Sequence, residues 1–238
     1  MIYLFVLFIT VIICGSSILY FKPKGKFLKF LLAFSGSFLI GITFMNLVPE
    51  VFQKSLPYTG VFIVIGFVIQ LVLELITEGA EHGHEHIHSE GEKISPFLLL
   101  FGLCIHSFLE GLPILSSFMF NIKNSLVLGI VVHNIPISLT LMALFLHYGL
   151  SKRKAFLYLF IFALMTPFGS LVGKYIMSTI TVSLETFFIY TMALVIGIFL
   201  HVSTSILFES GENHKYNIQK FSTVIMGLII AFGVTLLN

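Results

Sequence analysis

A histidine and a glutamate one helical turn apart are the first residues of this chain that could do chemistry. The segment reads His106-Ser-Phe-Leu-Glu110-Gly-Leu-Pro113. Positions i and i+4 lie on one face of a helix. An imidazole nitrogen and a carboxylate oxygen at this spacing are two of the ligands that Zn²⁺ or a similar cation needs. The segment therefore predicts half of a metal site.

A second histidine lies beside a proline that would kink a helix. This segment reads His133-Asn134-Ile-Pro136. Proline lacks an amide hydrogen, so Pro136 removes the helical hydrogen bond to the carbonyl one turn earlier, around Val132. The pattern predicts a kinked helix with a free carbonyl group next to His133.

The composition indicates what kind of protein must position these residues. Of the 238 residues, 57% are hydrophobic and 10% are charged, and the mean hydropathy is +1.04. Soluble domains carry about 25% charged residues, so a soluble domain and a disordered chain are both excluded. The 13 Lys and Arg residues against 11 acidic residues leave no basic face, which excludes binding to nucleic acid.

The apolar residues fall into eight stretches that could cross a bilayer, which needs roughly 20 such residues per helix. The sequence therefore predicts an all-α integral membrane protein, with eight transmembrane helices in a single domain over residues 1–238. The predicted spans are about 2–21, 30–52, 59–77, 96–117, 125–148, 155–176, 185–208 and 218–237.

The charges of the connections predict an orientation. Ten of the 13 Lys and Arg residues fall in the connections after spans 1, 3, 5 and 7, and three fall in the others. Positive charge marks the cytoplasmic side. We therefore expect a multi-pass protein of the cell (inner) membrane, with both termini outside and the connection between spans 3 and 4 in the cytoplasm.

That connection, residues 78–95, is the long polar segment of the chain. It alternates histidine with other residues in an acidic stretch, and its histidines are His82, His84, His86 and His88. Such tracts bind Zn²⁺ or Ni²⁺ loosely through imidazole. The alternative interpretation is a solvated linker.

The two motifs lie at matching depths in the predicted membrane. His106 lies ten residues from Pro96, or about 15 Å into span 4, and His133 lies eight residues from Ser125, or about 12 Å into span 5. Both depths reach the middle of a core of about 30 Å, so an antiparallel pair of helices can bring them together. The alternative is a buried polar network that holds kinked helices.

Together these motifs resemble the ZIP family of divalent-metal transporters. The resemblance covers the whole chain, with its eight spans, external termini and His-rich cytoplasmic connection. It implies that His106, Glu110 and His133 are ligands of a metal between spans 4 and 5. It also implies that a bundle of spans 1, 4, 5 and 6 moves like an elevator against a scaffold of spans 2, 3, 7 and 8. The matching motifs are His-x-x-x-Glu-Gly in span 4, His-Asn-x-Pro in span 5, Asn46-Leu-Val-Pro49-Glu50 in span 2 and Thr166-Pro167-Phe-Gly169 in span 6.

Three positions differ from the family pattern. Ser107 stands where Asn is frequent, Ile137 where Glu or His is frequent, and Thr166 where Glu can occur. These differences argue against a second, adjacent metal site. They leave three strong ligands, completed by water, by Asn134 or by Ser107.

Two further histidines lie within predicted spans. His201, one turn before Ser205 in span 7, could complete the site, mark a step of metal entry or exit, or be a hydrogen-bonded packing residue. His147, near the inner end of span 5, could be an exit-side ligand or an interfacial histidine.

The sequence therefore predicts a transporter that moves a divalent cation, with zinc favoured, into the cytoplasm. Its partners would be metal ions and the lipid bilayer, without nucleic acid or an organic cofactor, and a homodimer is an open possibility. The alternative is an intramembrane zinc hydrolase in which His106, His133 and His201 bind zinc and Glu110 activates water. The chain contains no Asp, and none of its predicted spans contains a His-Glu-x-x-His motif, so we expect no enzyme. A metal sensor that acts through the His-rich connection is a third possibility.

Overall fold

The structure, a computed structural model, describes residues 2–21, 23, 25–54, 56–77, 95–119, 123–179, 183–209 and 218–237. Within these ranges it is helical, without strands, which confirms the predicted all-α class. The predicted eight helical segments are found when the continuous run Gly25–Gln53 is counted once and a short 3₁₀ helix is left out. The helices are α1 (Ile2–Ser17), α2 (Gly25–Ile42), a π-helix (Thr43–Leu47), α3 (Val48–Gln53), α4 (Thr59–Thr77), α5 (Pro96–Gly111), a 3₁₀ helix (Ser116–Met119), α6 (Lys123–His147), α7 (Lys152–Thr179), α8 (Leu184–Glu209) and α9 (Ile218–Leu236).

Six of the described helices are long and apolar enough to cross a membrane, when Gly25–Gln53 is taken as one continuous helix. The other two, α1 and α5, have 16 residues each, or about 24 Å. Helix α5 ends at Gly111, before the end of the predicted fourth span, because Pro113 has no amide hydrogen to continue the helix. The amide of Ser117 donates instead to the carbonyl of Pro113, which leads into the 3₁₀ helix.

The helices pack into two groups. Helices α1, α5, α6 and α7 are connected through α1, which packs on α6 and α7, and through α7, which packs on α5; they are called here the α5–α6 group. Helices α2, α3, α4, α8 and α9 form the α4–α8 group, in which α4 pairs with α8 and α2 with α9. The two groups meet mainly where α2 packs on α6 and where α4 packs on α5. The chain is therefore one bundle built from two internally tighter parts.

Glycine lets α5 and α7 approach backbone to backbone. A Cβ atom at Gly169 would lie 2.9 Å from the carbonyl carbon of Phe108 and closer still to its oxygen. At Gly111 the neighbour is the carbonyl oxygen of Thr166. Membrane helices use small residues in this way because the absence of a side chain lets the backbones meet. The helix that carries His106 and Glu110 is thus fixed closely to α7.

The surface of the bundle is apolar along much of its length. Helix α9 buries only Gly227 and Ala231 and exposes large side chains such as Ile229 and Phe232. Conversely, several polar side chains are buried, among them Ser35 and Gln70. An apolar exterior around a polar interior is the arrangement expected of a multi-pass membrane protein.

Candidate metal centre

Helix α5 presents the predicted histidine–glutamate pair to the interior of the bundle. His106 and Glu110 are fully buried, and Nε2 of His106 lies 3.0 Å from Oε1 of Glu110. The regular helix from Pro96 to Gly111 produces this proximity, since four residues advance the chain by about one turn. Two ligand atoms therefore face a common point, as the spacing predicts.

Helix α6 brings His133 to the same point. The ring centroids of His106 and His133 are 5.7 Å apart. One ligand atom from each of His106, Glu110 and His133 lies within 4.8 Å of the other two, and all three residues are buried. In tetrahedral zinc sites with bonds of about 2.0–2.1 Å, ligand atoms stand about 3.4 Å apart. Side-chain adjustments of at most about 1.4 Å would bring the three ligand atoms to the spacing that one cation needs.

Pro136 acts on this site through the backbone. It lies inside α6 and cannot donate to the carbonyl of Val132. The hydroxyl of Ser35, on α2, donates to that carbonyl at 3.4 Å. The carbonyl group that the sequence predicts to be free is therefore bonded by a neighbouring helix, one residue away from His133.

Gln70 is a site residue that the sequence reasoning missed. It is fully buried on α4, and its Oε1 lies 2.8 Å from Nδ1 of His106. The spacing of residues does not show that Gln70 faces His106, because the two residues lie on different helices. The available signal was an uncharged polar residue in an apolar span, one turn before Glu74.

Ser107 and Asn134, which the sequence also predicts as possible ligands, are adjacent in sequence to His106 and His133. Ser107 and Asn134 are each 1% exposed. The hydroxyl of Ser107 and both amide atoms of Asn134 are buried without a partner, as is Oε2 of Glu110. Unsatisfied buried polar atoms are costly, and a cation or its water ligands would satisfy oxygen atoms of this kind.

His201 and His147 lie apart from the cluster. His201 is buried on α8 and pairs through Nε2 with the carboxylate of Glu74, while Phe67 packs edge-on against its ring. Ser205 donates to the same carboxylate at 3.3 Å. His147, at the end of α6, is exposed and contacts Tyr148. The triad of histidines that a hydrolase would need is therefore not assembled around Glu110.

The electrostatic character of the centre is acidic. Two carboxylates lie in the interior, that of Glu110 on α5 and that of Glu74 on α4. None of the described lysine or arginine side chains is buried. A buried carboxylate needs a compensating positive charge, so this interior favours a cation. The four histidines of the polar connection, His82, His84, His86 and His88, lie outside the described residues.

Comparison with known proteins agrees with this geometry. A family model described as the ZIP zinc transporter matches residues 77–235. The match covers about two thirds of the chain, including helices α5 to α9 and all three residues of the cluster. No curated protein matches the chain significantly.

Proposed function

The chain belongs to the ZIP zinc transporter family, and from that premise we propose that His106, Glu110 and His133 carry Zn²⁺ across the membrane into the cytoplasm. Membership supports transport of a divalent metal. The observation that carries the finer proposal is the convergence of three buried ligand atoms within 4.8 Å of one another. Two imidazoles and one carboxylate suit zinc, which accepts mixed nitrogen and oxygen ligands.

The ligands belong to the same group of helices, which supports movement of the site as a unit. Helices α5 and α6 both lie in the α5–α6 group. This group corresponds to the bundle, and the α4–α8 group to the scaffold, that the resemblance implies for an elevator. We propose that the α5–α6 group carries the cation while the α4–α8 group stays in place.

The inward direction rests on the distribution of charge. Ten of the 13 Lys and Arg residues fall in the connections after spans 1, 3, 5 and 7, and the positive-inside rule places these connections in the cytoplasm. On the way out of the site, Glu74 and His201 offer the next oxygen and nitrogen ligands. His82, His84, His86 and His88 could then receive the metal in the cytoplasm.

Metal uptake into proteoliposomes that contain the purified chain tests this proposal. We expect saturable zinc uptake by the wild type and a loss of at least 100-fold in uptake efficiency for Glu110→Gln, which keeps the shape of the side chain but removes its charge. Glu185→Gln is the matched control, because this carboxylate is exposed and pairs with Lys54 at 3.0 Å; the exposed pair contributes little. Zinc bound at one ion per chain without flux would refute transport.

Measuring manganese uptake beside zinc uptake tests the metal preference separately from the transport of divalent cations. With nitrogen and oxygen ligands, affinity rises from Mn²⁺ towards Zn²⁺, so zinc uptake should saturate at lower concentration than manganese uptake. Equal saturation by both cations would contradict the assignment of zinc while leaving divalent transport intact.

A further inference from the structure

Gln70 joins the candidate metal centre to the other group of helices. His106 belongs to α5, in the α5–α6 group, whereas Gln70 belongs to α4, in the α4–α8 group. Their side chains meet at 2.8 Å between Nδ1 and Oε1, and both residues are fully buried. The contact therefore crosses the boundary between the two groups at a proposed ligand.

The chemistry of this contact fixes which ring nitrogen is available to a metal. An amide oxygen only accepts hydrogen bonds, so Nδ1 of His106 carries the hydrogen that points to Gln70. The lone pair of the neutral ring is then on Nε2, the atom that lies 3.0 Å from Oε1 of Glu110. Outer partners of this kind set the tautomer and orientation of ligating histidines.

The helices that carry Gln70 and His106 are each packed closely against a helix of their own group. On α4, the backbone at Ile63 meets Gly197 of α8, where a Cβ would lie 2.7 Å from the amide nitrogen of Phe67. On α5, the backbone at Phe108 meets Gly169 of α7. Gln70 therefore follows α8, and His106 follows α7, whenever the groups shift relative to each other. A shift that lengthens the contact beyond about 3.5 Å breaks the hydrogen bond.

We propose that Gln70 is a positioning residue that holds His106 in its metal-binding tautomer only in the register seen here. When the groups move apart along their boundary, His106 loses its partner and the site loses affinity for the cation. High affinity is thereby tied to one conformation, and weaker binding to the other, as release requires. This inference rests on the proposed function, since it assigns a role within the transport site.

The bond between Ser35 and Val132 shows the same arrangement at the second histidine. Ser35 lies on α2, in the α4–α8 group, and Val132 precedes His133 on α6, in the α5–α6 group. The carbonyl group next to His133 thus accepts a hydrogen bond across the same boundary that Gln70 and His106 span.

Three substitutions at Gln70 test the inference. Gln70→Met keeps the length and volume and removes the acceptor, Gln70→Asn shortens the acceptor, and Gln70→Glu retains an acceptor at full length. Zinc dissociation constants are measured on purified protein in nanodiscs by titration calorimetry, and KM and maximal rate by uptake into proteoliposomes. We expect Gln70→Met and Gln70→Asn to raise the dissociation constant and KM by about 10–100-fold, with the maximal rate retained. The dissociation constant of Gln70→Glu should stay within about threefold of the wild-type value, because its carboxylate still accepts the hydrogen bond.

Thr77→Val is the matched control, because Thr77 lies on the same helix and packs against Gly102 of α5 while its hydroxyl bonds within α4. It should behave as wild type. If Gln70→Met and Gln70→Asn match Thr77→Val in affinity and KM, the inference is overturned while wild-type uptake still stands. If the maximal rate falls for all three Gln70 variants, including Glu, at unchanged affinity, Gln70 serves packing alone and the inference is also overturned. Absence of wild-type zinc uptake would instead refute the proposed function.

Discussion

A methyl group at Gly169 should weaken zinc binding at residues that it does not touch. In Gly169→Ala the new Cβ would lie 2.9 Å from the carbonyl carbon of Phe108. Carbon atoms pack best at about 3.5–4.0 Å, and the carbonyl oxygen of Phe108 would lie even closer to the new Cβ than the carbon does, so α5 and α7 must separate by about 1 Å or more. Overpacking of this kind costs about 1–3 kcal/mol of stability, which a folded bundle can tolerate.

The same displacement reaches the candidate metal centre because Phe108 lies between His106 and Glu110 on α5. His133 lies on α6, which has few direct contacts with α5, so a small local displacement of α5 within the α5–α6 group changes the distance from His133 to His106 and Glu110. Metal sites tolerate deviations of about 0.2 Å in ligand distance, and a shift of about 1 Å or more is several times larger. We therefore expect zinc affinity to fall by about 10–100-fold, the range seen when outer support of a ligand is lost.

Calorimetric titration of zinc into purified Gly169→Ala measures this change, and proteoliposome uptake should show a KM raised in proportion. Gly233→Ala is the matched control, since a Cβ there meets nothing within 4 Å. Size-exclusion profiles and thermal unfolding establish that both variants fold. A folded Gly169→Ala protein whose affinity and KM equal those of Gly233→Ala would refute the idea that close packing of α5 on α7 sets the ligand geometry.

Three further changes are expected to act in different ways. Ser35→Ala should weaken zinc affinity by less than about tenfold in the same titration, because a neutral hydrogen bond contributes about 0.5–1.5 kcal/mol; a loss of 100-fold would contradict this. Glu74→Gln should lower the maximal rate of zinc uptake without changing the dissociation constant, because Glu74 pairs with His201 outside the cluster; an equal loss of affinity would place Glu74 in the main site. Deletion of residues 80–92 should leave uptake in proteoliposomes intact while altering its regulation by cytoplasmic metal in cells, and complete loss of uptake would favour a sensor.

Local geometry explains why half of the candidate site could be predicted from sequence. His106 and Glu110 are brought together by a single regular helix, so their spacing of four residues was enough. The effect of Pro136 is local too, because the missing amide hydrogen defines which carbonyl is released. Neither conclusion needs any knowledge of neighbouring helices.

Contacts between distant segments could not be predicted in the same way. Gln70 and His106 are separated by 36 residues, and Glu74 and His201 by 127. Which faces of two helices meet depends on side-chain packing along their whole length, and periodicity is weak in helices that are apolar on nearly every side. From the sequence, three roles therefore remained possible for His201, and no role was predicted for Gln70.

The amino-acid sequence by itself determined the membrane class, the eight helical segments and the chemistry of the candidate ligands, because composition, apolar length and residue type are properties of the chain alone. Matching depth also favoured His133 as the partner of His106. The tertiary structure alone decided that Gln70 contacts His106, that Ser35 donates to Val132, and that His201 pairs with Glu74. The physical reason is that buried polar groups must find partners wherever packing places them, and packing is settled only when all the helices are assembled.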